Sequence, residues 1–255
     1  FYFWLCWLAV TPVCAQSYNA DLTCNTGAVA NGNYFGAGTS FADFNGDGWP
    51  DITCATYTDL FIYQNNEGVC EFVSLELDLD FDVKLPVWVD FDNDGDRDLF
   101  VTQYQAPELP NIIMMNNGDG TFSNTSADML QFDVSNSYSV SSADWNRDGG
   151  IDFLVSNLGP QVADLWQANP FSSRWIQMNP VGTVSNRDGI GVEMEVWTGD
   201  LYQYRYSKMG ENYLGQDSDW ELFGLGSAAQ VDSIRLTWPS GIVDMWYCLL
   251  YTSPR

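Results

Sequence analysis

Three nine-residue segments place side-chain oxygens at alternate positions: DFNGDGWPD at residues 43–51, DFDNDGDRD at 90–98 and DWNRDGGID at 144–152. Oxygens at positions one, three, five and nine, with the backbone carbonyl of position seven, can wrap a hard cation, and Gly at position six permits the sharp turn. The first loop offers Asp43, Asn45, Asp47, the Trp49 carbonyl and Asp51 around Gly48. The second offers Asp90, Asp92, Asp94, the Asp96 carbonyl and Asp98 around Gly95. The third offers Asp144, Asn146, Asp148, the Gly150 carbonyl and Asp152 around Gly149. Bunched carboxylates repel unless a cation sits between them. Ca²⁺ suits the donor set best, because it takes many oxygens in flexible geometry, without sulfur or imidazole. A single such string is equally an Asx-rich surface turn. Three in register, each with Asp at position nine, point to as many as three Ca²⁺ ions.

The donor set also says how tight binding is. An EF-hand adds a bidentate Glu at position twelve, where this chain has Cys54, Val101 and Val155. Affinity is therefore expected near the ~10⁻⁴–10⁻³ M of extracellular modules. The second loop, with four side-chain carboxylate ligands against three plus an Asn elsewhere, is expected to bind most strongly.

Other chemistry is excluded by composition. The chain has no His, which removes Ser-His-Asp and Cys-His catalysis and His-ligated zinc. A net charge of −25, from 34 acidic and 9 basic residues, argues against nucleic acid. With 45% hydrophobic and 15% aromatic residues the chain can nonetheless bury a core. No CxxC occurs. Cys54 and Cys70 lie in one repeat and are the favoured disulfide pair, the alternative being small buried thiols.

The elements that must position the loops repeat with them. The first Asp residues are 47 and 54 residues apart, and each loop runs into a β-prone segment beginning at Asp51, Asp98 or Asp152. Residues 116–122, NNGDGTF, carry a hairpin signal with Gly available for positive φ. The position-two aromatics Phe44, Phe91 and Trp145 are expected to pack between repeats. These units resemble FG-GAP/VCBS repeats over residues 34–170. The resemblance implies an all-β fold of four-stranded, integrin-α-type propeller blades, each with a Ca²⁺ loop between its first two strands.

Residues 174–244 carry a different signature: SNRDGIG at 185–191, FGLG at 223–226 and WPSG at 238–241. They resemble the ASPIC/UnbV module that follows such repeats in CRTAC-like secreted proteins. Leu222 stands where that family usually has His, so any role of that His is absent. The region alternates apolar and polar residues at 192–197 and 234–238, as strands do. Residues 185–189 are expected to form a structural turn. Residues 224–229 match GxGxxA formally, but a strand-like segment follows at once, leaving no helix to hold a pyrophosphate.

Residues 1–15 resemble the apolar core and cleavage site of a secretory signal peptide with an incomplete start, followed by a leader at 16–33. Residues 245–255 form an atypical tail with the look of a sequence artefact. Three repeats are too few to close a ring of about four to eight blades. Either the C-terminal module adds blades, or blades lie outside this sequence, or chains associate through open blade edges. The second is favoured, giving an open arc of three blades with loops on one side and the module against the last blade. The function expected is a non-catalytic, secreted or cell-surface (or periplasmic) Ca²⁺-binding protein that presents a surface to an extracellular glycan, matrix polymer or protein. No transmembrane segment is expected. The alternative is an enzyme or enzyme-accessory protein of a biosynthetic or degradative pathway built on the same repeats.

Overall fold

The computed structural model describes residues 38–55, 60–73, 82–104, 110–126, 136–169, 173–213 and 215–250. The expected signal segment (1–15) and leader (16–33) fall outside these residues. The named elements among the described residues are strands. The first sheet runs in chain order through β1 (Thr39–Ala42), β2 (Asp51–Ala55), β3 (Leu60–Asn66) and β4 (Val69–Val73). The second repeats this with β5 (Asp82–Val89), β6 (Asp98–Tyr104), β7 (Ile112–Asn116) and β8 (Phe122–Asn124). The third has β9 (Ser137–Ala143), β10 (Asp152–Asn157) and β11 (Asp164–Trp166). All neighbouring strands are antiparallel, and among the described residues the sheets do not close into a ring.

The sheets stack because their strands have two apolar faces. In β6, Leu99 and Val101 point to the core shared with the first sheet, while Phe100 points to the core shared with the third. That is the alternation of a strand buried on both sides. In β5 the register shifts between Val83 and Pro86, so Val83 faces the first core and Leu85 and Val87 the second. A bulge that inserts a residue changes the face of everything beyond it.

Position-two aromatics complete both interfaces. Phe44 stacks on Trp88 at 5.3 Å, and Phe91 packs on Phe153 at 5.2 Å. Trp145 departs from the expected packing and is 67% exposed. In the first two repeats this aromatic rests on the next sheet, and among the described residues no further blade follows the third.

The hairpin signal at 116–122 is realised as the β7–β8 turn, with Gly118 and Gly120 at φ 70° and 83°. The cysteine pairing is corrected. Cys70 is disulfide-bonded, but Cys54 is free. Cys54 sits on β2 opposite Phe61 and Cys70 on β4 opposite Asn65. Two strand spacings of ~4.8 Å, with a lengthwise offset, put them beyond the Cα separation a disulfide spans.

The C-terminal region is a small two-sheet unit. One sheet has the order β14 (Leu201–Tyr206), β13 (Glu193–Thr198), β16 (Gln230–Thr237), β17 (Val243–Leu250). The other pairs β12 (Arg174–Met178) with β15 (Glu221–Gly226). Met194, Val196, Ile234 and Leu236 meet Phe223 and Leu225 in its core. Residues 185–189 form a turn closed by Asn186, whose Oδ1 accepts from the Ile190 N–H and whose Nδ2 donates to the Ile190 carbonyl. β15 leads straight into β16 with no helix after Gly224. Residues 246–250 continue β17 in regular register with β16.

Candidate metal centre

Each acidic loop is the connection between the first two strands of its sheet, closing on the pairs Ala42–Asp51, Val89–Asp98 and Ala143–Asp152. The same hydrogen bonds shape all three. The position-nine carboxylate is buried and accepts the N–H of position two: Phe44 to Asp51 (3.0 Å), Phe91 to Asp98 (2.7 Å), Trp145 to Asp152 (2.9 Å). Its second oxygen accepts an N–H farther along the sheet, from Asn65, Asn116 or Ala168. The ninth Asp therefore ties the loop to the blade as well as facing into the loop. The position-one carboxylate accepts the N–H of position six, from Gly48, Gly95 and Gly149. The position-five carboxylate accepts the N–H of position seven, from Trp49, Asp96 and Gly150.

Gly at position six has φ of 87°, 105° and 89°, the left-handed region expected of it. Position four is left-handed too, at Gly46, Asn93 and Arg147. Gly and Asn are the residues that tolerate this conformation, a signal in the sequence for two of the three loops.

The second loop differs from the others in what it brings together. Carboxylate oxygens of Asp90, Asp92 and Asp98 lie within 4.8 Å of one another. Asp90 is 4% exposed, and its Oδ1 is buried without a hydrogen-bond partner. A buried carboxylate oxygen left unpaired is costly unless a cation meets it. Burial pushes the Asp90 carboxyl up to about 7 and Asp98 to about 8, with neighbouring carboxylates adding to both. These residues fit an oxygen-ligated cation. Asp94 lies outside the cluster and is exposed.

The carboxylates of the first and third loops do not converge in this way among the described residues. There the position-three amide takes up the free oxygen of position five: Asn45 Nδ2 donates to Asp47 Oδ2 at 3.0 Å and Asn146 Nδ2 to Asp148 Oδ2 at 2.8 Å. Burial raises Asp51 to about 6 and also lifts Asp43 and Asp144.

All three loops lie under the C-terminal unit. The expected contact with the last blade is one of three. Tyr202 lies over Gly48 of the first loop, where a Cβ would come within 3.5 Å of the ring. Leu201 and Gly224 press on the second loop, and Trp175 on Gly149 of the third. Gln177 Nε2 donates to Asp144 Oδ2 at 3.1 Å. The Gly226 N–H donates to the Asn93 carbonyl at 2.8 Å, while Asn93 Nδ2 donates to the Gly149 carbonyl at 2.7 Å. Asn93 thus joins two loops and the unit above them. A side chain at Gly224 would collide with Asp90 and with the Asn93 backbone. The FGLG glycine is therefore a contact with the loop; the sequence flagged the motif, not its target.

Comparisons with known proteins bear on the same two regions. An FG-GAP-like repeat model matches residues 43–101 and 90–155, and an ASPIC and UnbV model matches residues 182–249. Cartilage acidic protein 1 of Homo sapiens is 25% identical over 223 residues, covering 81% of this chain and 33% of that protein. Cartilage acidic protein 1 of Mus musculus is 25% identical over 236 residues, covering 86% of this chain and 36% of that protein. The chain thus spans about a third of the length of the curated relatives it matches. The FG-GAP-like matches fall on the stacked sheets and the ASPIC and UnbV match on the C-terminal unit, in a chain similar to cartilage acidic protein 1.

Proposed function

We propose that this chain is a non-catalytic, extracellular or cell-surface Ca²⁺-binding repeat protein. It presents a surface to a glycan, matrix polymer or protein. The observation that carries the calcium reading is the second loop, where Asp90, Asp92 and Asp98 converge and one buried oxygen is unpartnered. In this reading Asp94 and the Asp96 carbonyl complete the site. The first loop supplies Asp43, Asn45, Asp47, Asp51 and the Trp49 carbonyl. The third supplies Asp144, Asn146, Asp148, Asp152 and the Gly150 carbonyl. In both, the Asn amide must release the position-five carboxylate before the cation is held. The ion supplies charge neutralisation and rigidity at the contact between blades and module.

The adhesive role is supported by the FG-GAP-like match and by similarity to a protein whose name places it in cartilage and calls it acidic. The chain shares the acidity, with a net charge of −25. It lacks any His, and a cation would account for its best carboxylate cluster. No helix among the described residues is long and apolar enough to cross a membrane. A glycan array and a pull-down from extracellular matrix, each with Ca²⁺ and with chelator, test the proposal. Binding that chelator abolishes is expected; equal signals, or none, in both conditions contradict it.

A further inference from the structure

A cavity of about 450 Å³ opens where the loop ends of the three sheets meet the module. Its size lies within the ~300–1,000 Å³ of small-molecule sites. The chain has only 9 basic residues, yet Arg97, Arg205 and Lys208 all line this one cavity. Glu211, Asp217 and Glu221 line it as well. Asp43 and Asp90 border it too, but both belong to the cation loops.

These charges are only partly spent on one another. Lys208 pairs with Glu211 at 3.7 Å. Asp217 accepts the Ser142 N–H and the Asn212 amide. Arg205, 4% exposed, is held by the Gln203 Oε1 and lies over the Phe223 ring at 5.0 Å. Arg97 donates to the Trp88 carbonyl at 2.9 Å. Among the described residues neither guanidinium reaches ion-pair distance of a carboxylate, and the Glu221 carboxylate has no hydrogen bond or ion pair. Burial raises the Glu221 carboxyl above its ordinary range, while Arg97 and Arg205 act on it through space in favour of its charged form. Glu221 thus borders one cavity with Arg97 and Arg205 without pairing with either, an arrangement that a ligand able to donate and accept would complete.

The balance of charge narrows the ligand. Beside the loop carboxylates, three basic and three acidic groups line the cavity, so neither sign of charge stands alone there. A free anion would meet three carboxylates, and a free cation three basic groups. Hydroxyl groups can donate to Glu221 and accept from Arg205 at once. The walls add aromatic faces: Trp88, Tyr204 and the 48% exposed Trp220. We propose that this cavity binds a neutral mono- or disaccharide, with Glu221 and Arg205 bonding its hydroxyls and Trp220 packing on its C–H face. This deepens the glycan reading above and rests on it for the filling of the first two loops.

The test uses saturation-transfer NMR and calorimetry on the whole chain in millimolar Ca²⁺. The probes are glucose, galactose, mannose, N-acetylglucosamine, lactose and cellobiose, with glucuronate and glucosamine as charged counterparts. At least one neutral sugar should bind, its charged counterparts about tenfold more weakly. Trp220→Ala and Glu221→Gln should each weaken binding about tenfold with Ca²⁺ uptake unchanged. If Ca²⁺ stabilises the chain but no sugar binds at millimolar concentration, the cavity assignment falls and the calcium reading stands. Sugar binding with no Ca²⁺ uptake supports the cavity assignment and overturns the calcium reading. Sugar binding that ignores both substitutions overturns the cavity assignment.

Discussion

At the residue scale, one substitution isolates what distinguishes the second loop. Position three is Asp92 there but Asn45 and Asn146 in the other loops. Asp92 Oδ1 accepts the Asp94 N–H at 3.2 Å, a bond that an Asn can also make. Asp92→Asn therefore keeps the loop's hydrogen bonding and removes one charged ligand. Calorimetry should show Ca²⁺ affinity at this site dropping about tenfold or more, toward that of its neighbours. Asp94→Ala is likewise expected to cost more affinity than Asp47→Ala or Asp148→Ala; equal losses would mean rigidity, not charge count, sets the order. The ligand positions were legible in the sequence because Asp, Asn and Gly have spacing-dependent roles. The second role of the ninth Asp, as a clamp on strand N–H groups, was not, because its partners Asn65, Asn116 and Ala168 lie 14 to 18 residues away.

At the element scale, stacked blades and the module above them make separable predictions. Trp88 fills the first interface, stacked on Phe44 and donating from Nε1 to Thr53 Oγ1 at 2.9 Å. Trp88→Ala should cost about 3–5 kcal/mol by leaving a cavity and an unpaired hydroxyl, read by chemical denaturation. Gly224→Ala should cost about 1–3 kcal/mol, because the added methyl meets backbone and a buried carboxylate of the second loop. It should also weaken Ca²⁺ uptake at that loop, an effect a defect confined to the module core would lack. Blade order and loop placement followed from the repeat. The docking of the module over the loops did not, since it depends on surfaces from segments far apart in sequence, such as Tyr202 on Gly48.

At the scale of the whole molecule, the metal-free chain carries its carboxylates under strain. Burial places Asp51 at about 6, Asp90 at about 7 and Asp98 at about 8, against ~3.9 for an unfolded Asp. The folded state then holds protons that the unfolded chain has released. Stability of metal-stripped protein should therefore fall as pH rises from about 4 to 8. A higher melting temperature at pH 8 than at pH 5.5 without metal would contradict this. Among the described residues the sheet stack is open, and the edge strand β17 exposes Val243, Met245, Trp246, Tyr247 and Leu249. Association through such edges is expected, and light scattering should find oligomers. A cooperatively unfolding monomer would show instead that the module closes the core. The central claim is that the second loop holds Ca²⁺ beneath the module, and thermal unfolding of the whole chain with added Ca²⁺ and with chelator tests it most directly. Ca²⁺ bound to the folded state alone must raise the melting temperature in a concentration-dependent way. The account predicts that rise at millimolar Ca²⁺, reduced by Asp92→Asn. An unchanged melting temperature, with no heat of Ca²⁺ uptake, would contradict it.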